Sequence, residues 1–332
     1  MVTQSDRRQY GTPFAARGRF VISREFMRSF QFVTVDVFTE LHFGGNPLAV
    51  FPDAEGLSDS EMQSLAAELN LSETTFVLPP ADGSNTARVR IFNRSAEMPF
   101  AGHPNVGTAW ILASLGRAKG PRLCFEEAAG LVEVRIDEGR VTIDAPKPLS
   151  LGPEMSPELF ASCVGLSPQD VLVSSHRPVC ASVGFPFVIG EVSLDALARA
   201  APDSGQFREV SRDYKATQPH ALSLYLYVRQ GDRLRARMFS PLAGTIEDPA
   251  TGSAASALAA LILGLSGSSE RHFDMLQGQE MGRPSQLFLS AVRTENGIRA
   301  SVGGRCVPML RGEVCLPEPE EQAGYSLLGF PQ

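Results

Sequence analysis

The chain has 332 residues, 43% hydrophobic and 20% charged, the balance of a soluble globular protein with room for about two domains of ~150 residues. Its 30 Lys and Arg against 37 Asp and Glu leave a net charge of −7 and no basic stripe, which argues against a nucleic-acid partner, and its longest apolar runs, such as Ala254–Leu265, are too short to span a bilayer. The cysteines Cys124, Cys163, Cys180, Cys306 and Cys315 are scattered, with no CxxC and no zinc-ligand spacing, which fits reduced thiols in a cytoplasmic protein and no metal site.

Residues 1–27 read as a flexible N-terminal extension. They hold Arg7, Arg8, Arg17, Arg19 and Arg24 but no apolar stretch of a secretory signal. Asp6 and Glu25 weigh against a transit peptide, and a natural start at Met27 is a second reading. The first strand is Phe32–Phe38, with Val33, Val35 and Val37 on one face. Gly44-Gly45-Asn46-Pro47 is a turn before a short strand, Leu48–Phe51. Ser58-Asp59-Ser60-Glu61 spells a capping box, and Met62, Leu65, Ala66 and Leu69 follow at helical spacing, so Asp59–Leu69 is an amphipathic helix. Strands follow at Thr74–Leu78 and Arg88–Phe92. After Pro99-Phe100-Ala101-Gly102-His103-Pro104 comes a small-residue helix, Asn105–Leu115. Leu131–Ile136 and Arg140–Asp144 form a hairpin, and Ala145-Pro146-Lys147-Pro148 reads as a linker.

The second half repeats this plan. Ser156-Pro157 and Ser167-Pro168 are helix starts. Ala221–Val228 and Arg233–Phe239 form a hairpin, and an apolar small-residue helix follows at Ala254–Leu263. Leu287–Val292 and Ile298–Val302 are joined through Asn296-Gly297, a hairpin turn. A shift of 147 residues lays Arg88–Phe92 on Arg235–Phe239 and His103 on Ala250 without a gap. The fold class is therefore α+β, in two pseudo-symmetric halves, 28–148 and 149–332, with a cleft between them.

Both repeat centres run from a strand through a Gly- or Pro-bearing turn into a small-residue helix. A helix start offers free N–H groups and the positive end of a dipole. Two such starts facing one cleft suit a small anion, most simply a carboxylate; tight helix–sheet packing is the plainer alternative for either one alone. The first centre carries His103 and the second carries Asp248, Thr251 and Ser253. Asp248 or Thr251 would serve equally as an N-cap, and Thr251 and Ser253 are balanced between capping and ligand contact. Glu73, read from its neighbours alone, is a solvated loop carboxylate. No GxSxG, GxGxxG or P-loop is present, which leaves a nucleophile-elbow hydrolase and nucleotide binding without support.

Taken together, Val35-Asp36-Val37-Phe38-Thr39, Gly45-Asn46-Pro47-Leu48-Ala49-Val50, Leu69–Phe76 with its Leu-Ser-Glu core, Pro99–Pro104, Glu247–Ala254 and Gln277-Gly278 to Gly282-Arg283-Pro284-Ser285 resemble the PhzF-type phenazine-biosynthesis family, in family order. That family shares the diaminopimelate epimerase and proline racemase fold. The resemblance implies that each half is an antiparallel barrel-like sheet around a central helix and that the site lies between the halves; the C-terminal tail has room to pack back on the first half. It implies no cofactor and a homodimer. It makes Glu73 the catalytic proton shuttle, and it places His103, Asp248 and Ser253 on the substrate, with Ser72, Gly102, Thr251 and Gly252 beside them.

A single carboxyl that takes a proton from carbon and returns it elsewhere needs a pKa raised toward the working pH, hence a poorly solvated cleft. The racemase relatives use one cysteine from each half, whereas this chain has Ala101 and Pro249-Ala250 at those turns. Two-thiol racemisation is thereby disfavoured. Asn93-Arg94 stands where the family usually has Thr-Pro, and Pro249 where the phenazine enzyme tends to have Ala. The expected protein is a cofactor-independent isomerase acting on a small carboxylate. The alternatives are a non-catalytic member that binds a small acid or a protein, and a lyase or tautomerase on the same scaffold.

Overall fold

The computed structural model describes residues 27–118 and 120–318. The extension expected at 1–27 therefore lies outside the described residues except for Met27, and most of the tail after Leu316 lies outside them as well. The first half runs β1 (Met27–Val37), β2 (Asn46–Phe51), α1 (Asp59–Leu69), β3 (Glu73–Leu78), β4 (Ala87–Phe92), β5 (Glu97–Met98), α2 (Gly102–Ser114), β6 (Arg122–Glu127), β7 (Gly130–Asp137) and β8 (Arg140–Asp144). The second continues β9 (Ser150–Glu154), α3 (Pro157–Cys163), β10 (Val171–Leu172), β11 (Val179–Ser182), β12 (Pro186–Val192), α4 (Leu194–Arg199) and α5 (Ser204–Asp213). It closes with β13 (Leu224–Gln230), β14 (Arg233–Ser240), β15 (Thr245–Asp248), α6 (Gly252–Gly264), β16 (Glu270–Gln277), β17 (Ser285–Thr294), β18 (Gly297–Gly304) and β19 (Cys306–Pro317). Phe30–Glu313 form one compact unit, which carries everything described below. In the other unit, made of the chain ends, Arg28 donates to the Pro317 carbonyl at 3.0 Å.

The sheets are mixed rather than antiparallel. β2 pairs parallel with β3, β4 with β6, β12 with β13 and β14 with β16. Each pair flanks a stretch containing a helix, because a parallel neighbour is reached only by a crossover and not by a tight turn. The other pairings of defined register are antiparallel, and β8 pairs with β18, so that hydrogen bonding runs unbroken from one half to the other.

The two-fold repeat is visible side chain by side chain. Arg90 grips Glu97 through two hydrogen bonds of 2.8 and 2.7 Å, and Arg237 grips Glu247 through two of 2.8 Å. Each arginine also lies over the phenylalanine two residues on, Phe92 or Phe239. The shift of 147 residues holds for these strands but not for the helices. α2 begins at Gly102 and α6 at Gly252, 150 residues apart, and both have 13 residues. The short 3₁₀ turn Pro241–Ala243 lies in the second half between the strand and the helix. His103 therefore corresponds to Ser253, not to Ala250.

Each central helix is apolar on nearly every side and is swallowed by its sheet. In α6 the residues Ala254–Leu263 are all buried. In α2, Gly107 has no room for a side chain: a Cβ there would come within 2.6 Å of Leu48 and 2.8 Å of Val37. A second core sits outside the second half. Along β13, Tyr225 and Tyr227 face the α6 core, while Leu224, Leu226 and Val228 face Phe160, Leu197 and Phe207 of α3, α4 and α5. Strand alternation thus serves two layers at once.

Candidate active site

The two helix starts meet. A Cβ placed on Gly102 would lie 3.8 Å from the Ser253 amide nitrogen and 3.9 Å from the Gly252 Cα. Neither start is capped by its own N-cap side chain, Ala101 or Thr251. Free first-turn amides and two positive dipole ends therefore face one small space, an arrangement that an anion between them stabilises. Thr251, balanced in sequence between cap and ligand, does neither through its hydroxyl in this state: it donates to Asp248 Oδ2 at 2.5 Å.

Asp248 is held from three elements. Asn46, the first residue of β2, donates through Nδ2 to Asp248 Oδ1 at 2.9 Å and to the Ala250 carbonyl at 3.0 Å, and accepts from the Ser72 hydroxyl at 3.1 Å. Gln277, the last residue of β16, donates to the Asp248 carbonyl at 2.8 Å and to Thr251 Oγ1 at 3.0 Å. Its Oε1 accepts from the Thr251 amide at 3.3 Å and from the Tyr225 hydroxyl at 2.9 Å. Burial pushes the Asp248 carboxyl up to about 6, against the hydrogen bonds from Thr251 and Asn46 that pull it down. Asn46 stands in a recognised turn and Gln277 in a recognised motif, but Asn46, Gln277 and Tyr225 were not among the candidate site residues. For Asn46 the signal is a polar side chain opening an otherwise apolar strand; β16, polar at most positions, carries no such signal for Gln277.

Glu73 opens β3 directly after the turn that Asn70 begins in a left-handed conformation. It is not the solvated loop carboxylate that its sequence neighbours suggest. Its side chain is only 18% exposed, and Oε2 lies 3.4 Å from Nε2 of His103, which is 8% exposed. Among the described residues neither of these two atoms has a hydrogen-bond partner. Burial, then the Asp248 charge, push the Glu73 carboxyl up to about 7, while Ser72 and Arg94 pull it down. Burial alone takes His103 down to about 3, so the imidazole is neutral. The contact is accordingly a carboxyl beside a neutral ring and not an ion pair. Arg94, from the loop between β4 and β5, donates to the Gly244 carbonyl at 3.2 Å across the two halves.

The remaining motifs fasten the halves behind this centre. Arg283 donates to Asp36 at 2.7 Å and to the carbonyls of Gly44 and Gly45 at 2.7 and 2.9 Å. Gly45 has φ 62°, and a Cβ there would strike the Val37 carbonyl at 2.3 Å. The glycines in that turn and the Arg-Pro-Ser segment are thus structural, bringing Asn46 to Asp248. Among the described residues no group of three or more His, Cys, Asp and Glu is placed to hold a metal, and no helix is long and apolar enough to cross a membrane.

Comparison with known proteins agrees with this fold. The family described as phenazine biosynthesis-like protein, PhzC-PhzF, matches residues 35–312. The chain belongs to the PhzF family. It is 37% identical over 295 residues to the trans-2,3-dihydro-3-hydroxyanthranilate isomerase of Pseudomonas fluorescens, which covers 86% of this chain and 99% of that one. A Bacillus anthracis PhzF-family structure superposes with TM-score 0.78 at 26% identity, covering 87% of this chain and all of its own. A hydroxyproline epimerase from Agrobacterium vitis superposes with TM-score 0.58 at 15% identity, over 88% of this chain and 94% of its own, which places the fold in the epimerase-like class. By this kinship the PhzF-family chain is an isomerase.

Proposed function

We propose that the protein is a cofactor-independent isomerase that moves a proton on a small carboxylate, with Glu73 as the single acid/base. The observation that carries this is Glu73 itself: a buried carboxyl near 7, beside a neutral imidazole, next to two uncapped helix starts. A carboxyl near the working pH both accepts and returns a proton at useful rates. The free amides of Gly102, His103, Gly252 and Ser253 hold the carboxylate and the charge that grows on it as the proton leaves carbon. His103, uncharged, and Asp248 orient the substrate's hydroxyl or amine, with Ser72, Thr251 and Asn46 behind them. Ala101 and Thr251 hold the paired N-cap positions, so a two-thiol route has no sulfur to use there.

The relatives' named substrate, trans-2,3-dihydro-3-hydroxyanthranilate, is the first compound to try. The expected result is rearranged product, with solvent deuterium at carbon when the reaction runs in D2O. A panel of small hydroxy and unsaturated acids, including this one, that binds without exchange or rearrangement would favour a non-catalytic binder; loss of water or ammonia would favour a lyase. Light scattering on the purified chain tests the homodimer that kinship suggests.

A further inference from the structure

Glu127 is a buried carboxyl that the proposed reaction does not use and no ion pair explains. It ends β6, and among the described residues neither of its oxygens accepts a well-formed hydrogen bond. Leaving such a group without partners is costly. Its neighbour is Asn105, in the first turn of α2, whose Nδ2 donates to the Ala101 carbonyl at 3.0 Å. The hairpin that follows Glu127 is tied to the same turn, with the Ala129 amide donating to the Pro99 carbonyl at 3.0 Å.

The two-fold repeat says what this position does. In the second half Ala236 of β14 is level with Gln277 of β16; in the first, Arg88 of β4 is level with Glu126, so Val89, the counterpart of Ala236, comes level with Glu127. Glu127 and Gln277 are equivalent, each the last residue of its strand. Gln277 holds the N-cap turn of α6 through Thr251 and the Asp248 carbonyl. In the first half two residues share that task, Asn105 on the Ala101 carbonyl and Glu127 beside Asn105. Unlike Gln277, which bonds the turn directly, Glu127 can become charged. A negative charge behind a helix start opposes the dipole that attracts an anion in front of it.

We infer that Glu127 is a positioning residue for the start of α2, acting through Asn105 on Ala101 as Gln277 acts on Thr251, and that it does so uncharged, its ionisation loosening the hold of that helix start on an anion. Burial pushes its carboxyl up to about 8, while Asn105 pulls it down. Of the ionisable groups on the packed elements, Glu126 accepts from Ala81, Asp82 and Asn85, Arg88 of β4 and Glu133 of β7 are exposed, Arg135 of β7 is bonded to Asp144, Glu97 is gripped by Arg90, and His103 of α2 lies against Glu73.

The anion part of this inference rests on the proposed function; the coupling between Glu127 and the helix start does not, and it is read without substrate. The Gly102 amide resonance of 15N-glycine-labelled Glu73→Gln protein, which lacks the nearer titrating carboxyl, is followed from pH 6 to 10. A titration of Gly102 that disappears in Glu73→Gln/Glu127→Gln is expected, together with protection of residues 105–108, the first amides bonded within α2, from exchange that falls about tenfold in Glu127→Ala and is kept in Glu127→Gln. A Gly102 resonance that does not titrate, or that titrates equally in both proteins, overturns the inference, as does equal protection in Glu127→Ala and Glu127→Gln. With acetate as probe, affinity at pH 9 relative to pH 6.5 should fall less in Glu127→Gln than in the wild type; equal falls would remove the anion part alone.

Discussion

His103 and Ser253 occupy the same place, the second residue, in two 13-residue helices whose first turns abut. One half carries an imidazole and the other a hydroxyl at this position. A symmetric scaffold thus presents asymmetric chemistry, and the carboxyl proposed as proton carrier, Glu73, comes from a third element, β3.

The gap between the helix starts can be filled without disturbing the fold. A Cβ at Gly102 meets Ile143, Ser253 and Gly252 only at ordinary contact distances of 3.8, 3.8 and 3.9 Å. Gly102→Ala should keep or slightly raise the melting temperature, since alanine favours helix by up to about 1 kcal/mol. Its affinity for a carboxylate ligand should fall at least about tenfold. Calorimetric titration beside thermal melts checks this; unchanged affinity would mean that the anion does not sit between the starts.

Glu73 is held where it costs stability. Its folded pKa, about 7, lies above the ordinary 4.5. The folded state therefore binds the proton more tightly, and the stability this contributes is fully present below about 4.5 and lost as pH rises through about 7. Glu73→Gln does not titrate. Its stability relative to wild type should rise by on the order of 3 kcal/mol between pH 4.5 and pH 8, read from urea unfolding at the two values.

The Asp248 charge raises the Glu73 pKa. Asp248→Asn should therefore move the acid limb of the exchange rate downward from near 7, by up to about one pH unit, as well as lowering the rate. A pH–rate profile of the variant measures both; an upward shift would contradict the assigned coupling.

Asn46 bonds Asp248, the Ala250 carbonyl and Ser72 at once. Asn46→Ala strands buried acceptors on the second half, and a loss of about 1–3 kcal/mol in unfolding free energy is expected. Catalysis should fall with it, because the positions of Asp248 and Ser72 are set from the same side chain.

Local signals were read correctly where local physics decides. The Ser58–Glu61 box and its apolar spacing gave α1 residue for residue, Asp59–Leu69. Ser167-Pro168 carries the same kind of signal, and Asp170 accepts from the Ser167 amide at 3.0 Å, but only a 3₁₀ turn follows because Val171 and Leu172 are drawn into pairing with Val192 and Glu191. β11, β12 and α5 escaped because glycines, prolines and mixed polarity blur their periodicity. The offset of 147 was correct for strands whose Arg-x-Phe pattern repeats, and failed at the helices, where the lengths of the intervening loops differ. The burial of Glu73 was not legible locally: its solvation is set by His103, Asn46 and Asp248, which are distant in the chain. Only the family resemblance pointed to it.

The account is tested most directly by solvent deuterium uptake at carbon in trans-2,3-dihydro-3-hydroxyanthranilate, or in whichever acid from the panel proves active, measured for wild type and Glu73→Gln. The wild type should exchange, and Glu73→Gln should lose about 10²–10⁴-fold in rate while still binding the acid. Exchange by Glu73→Gln within a few-fold of wild type would contradict the assignment of this carboxyl as the proton carrier.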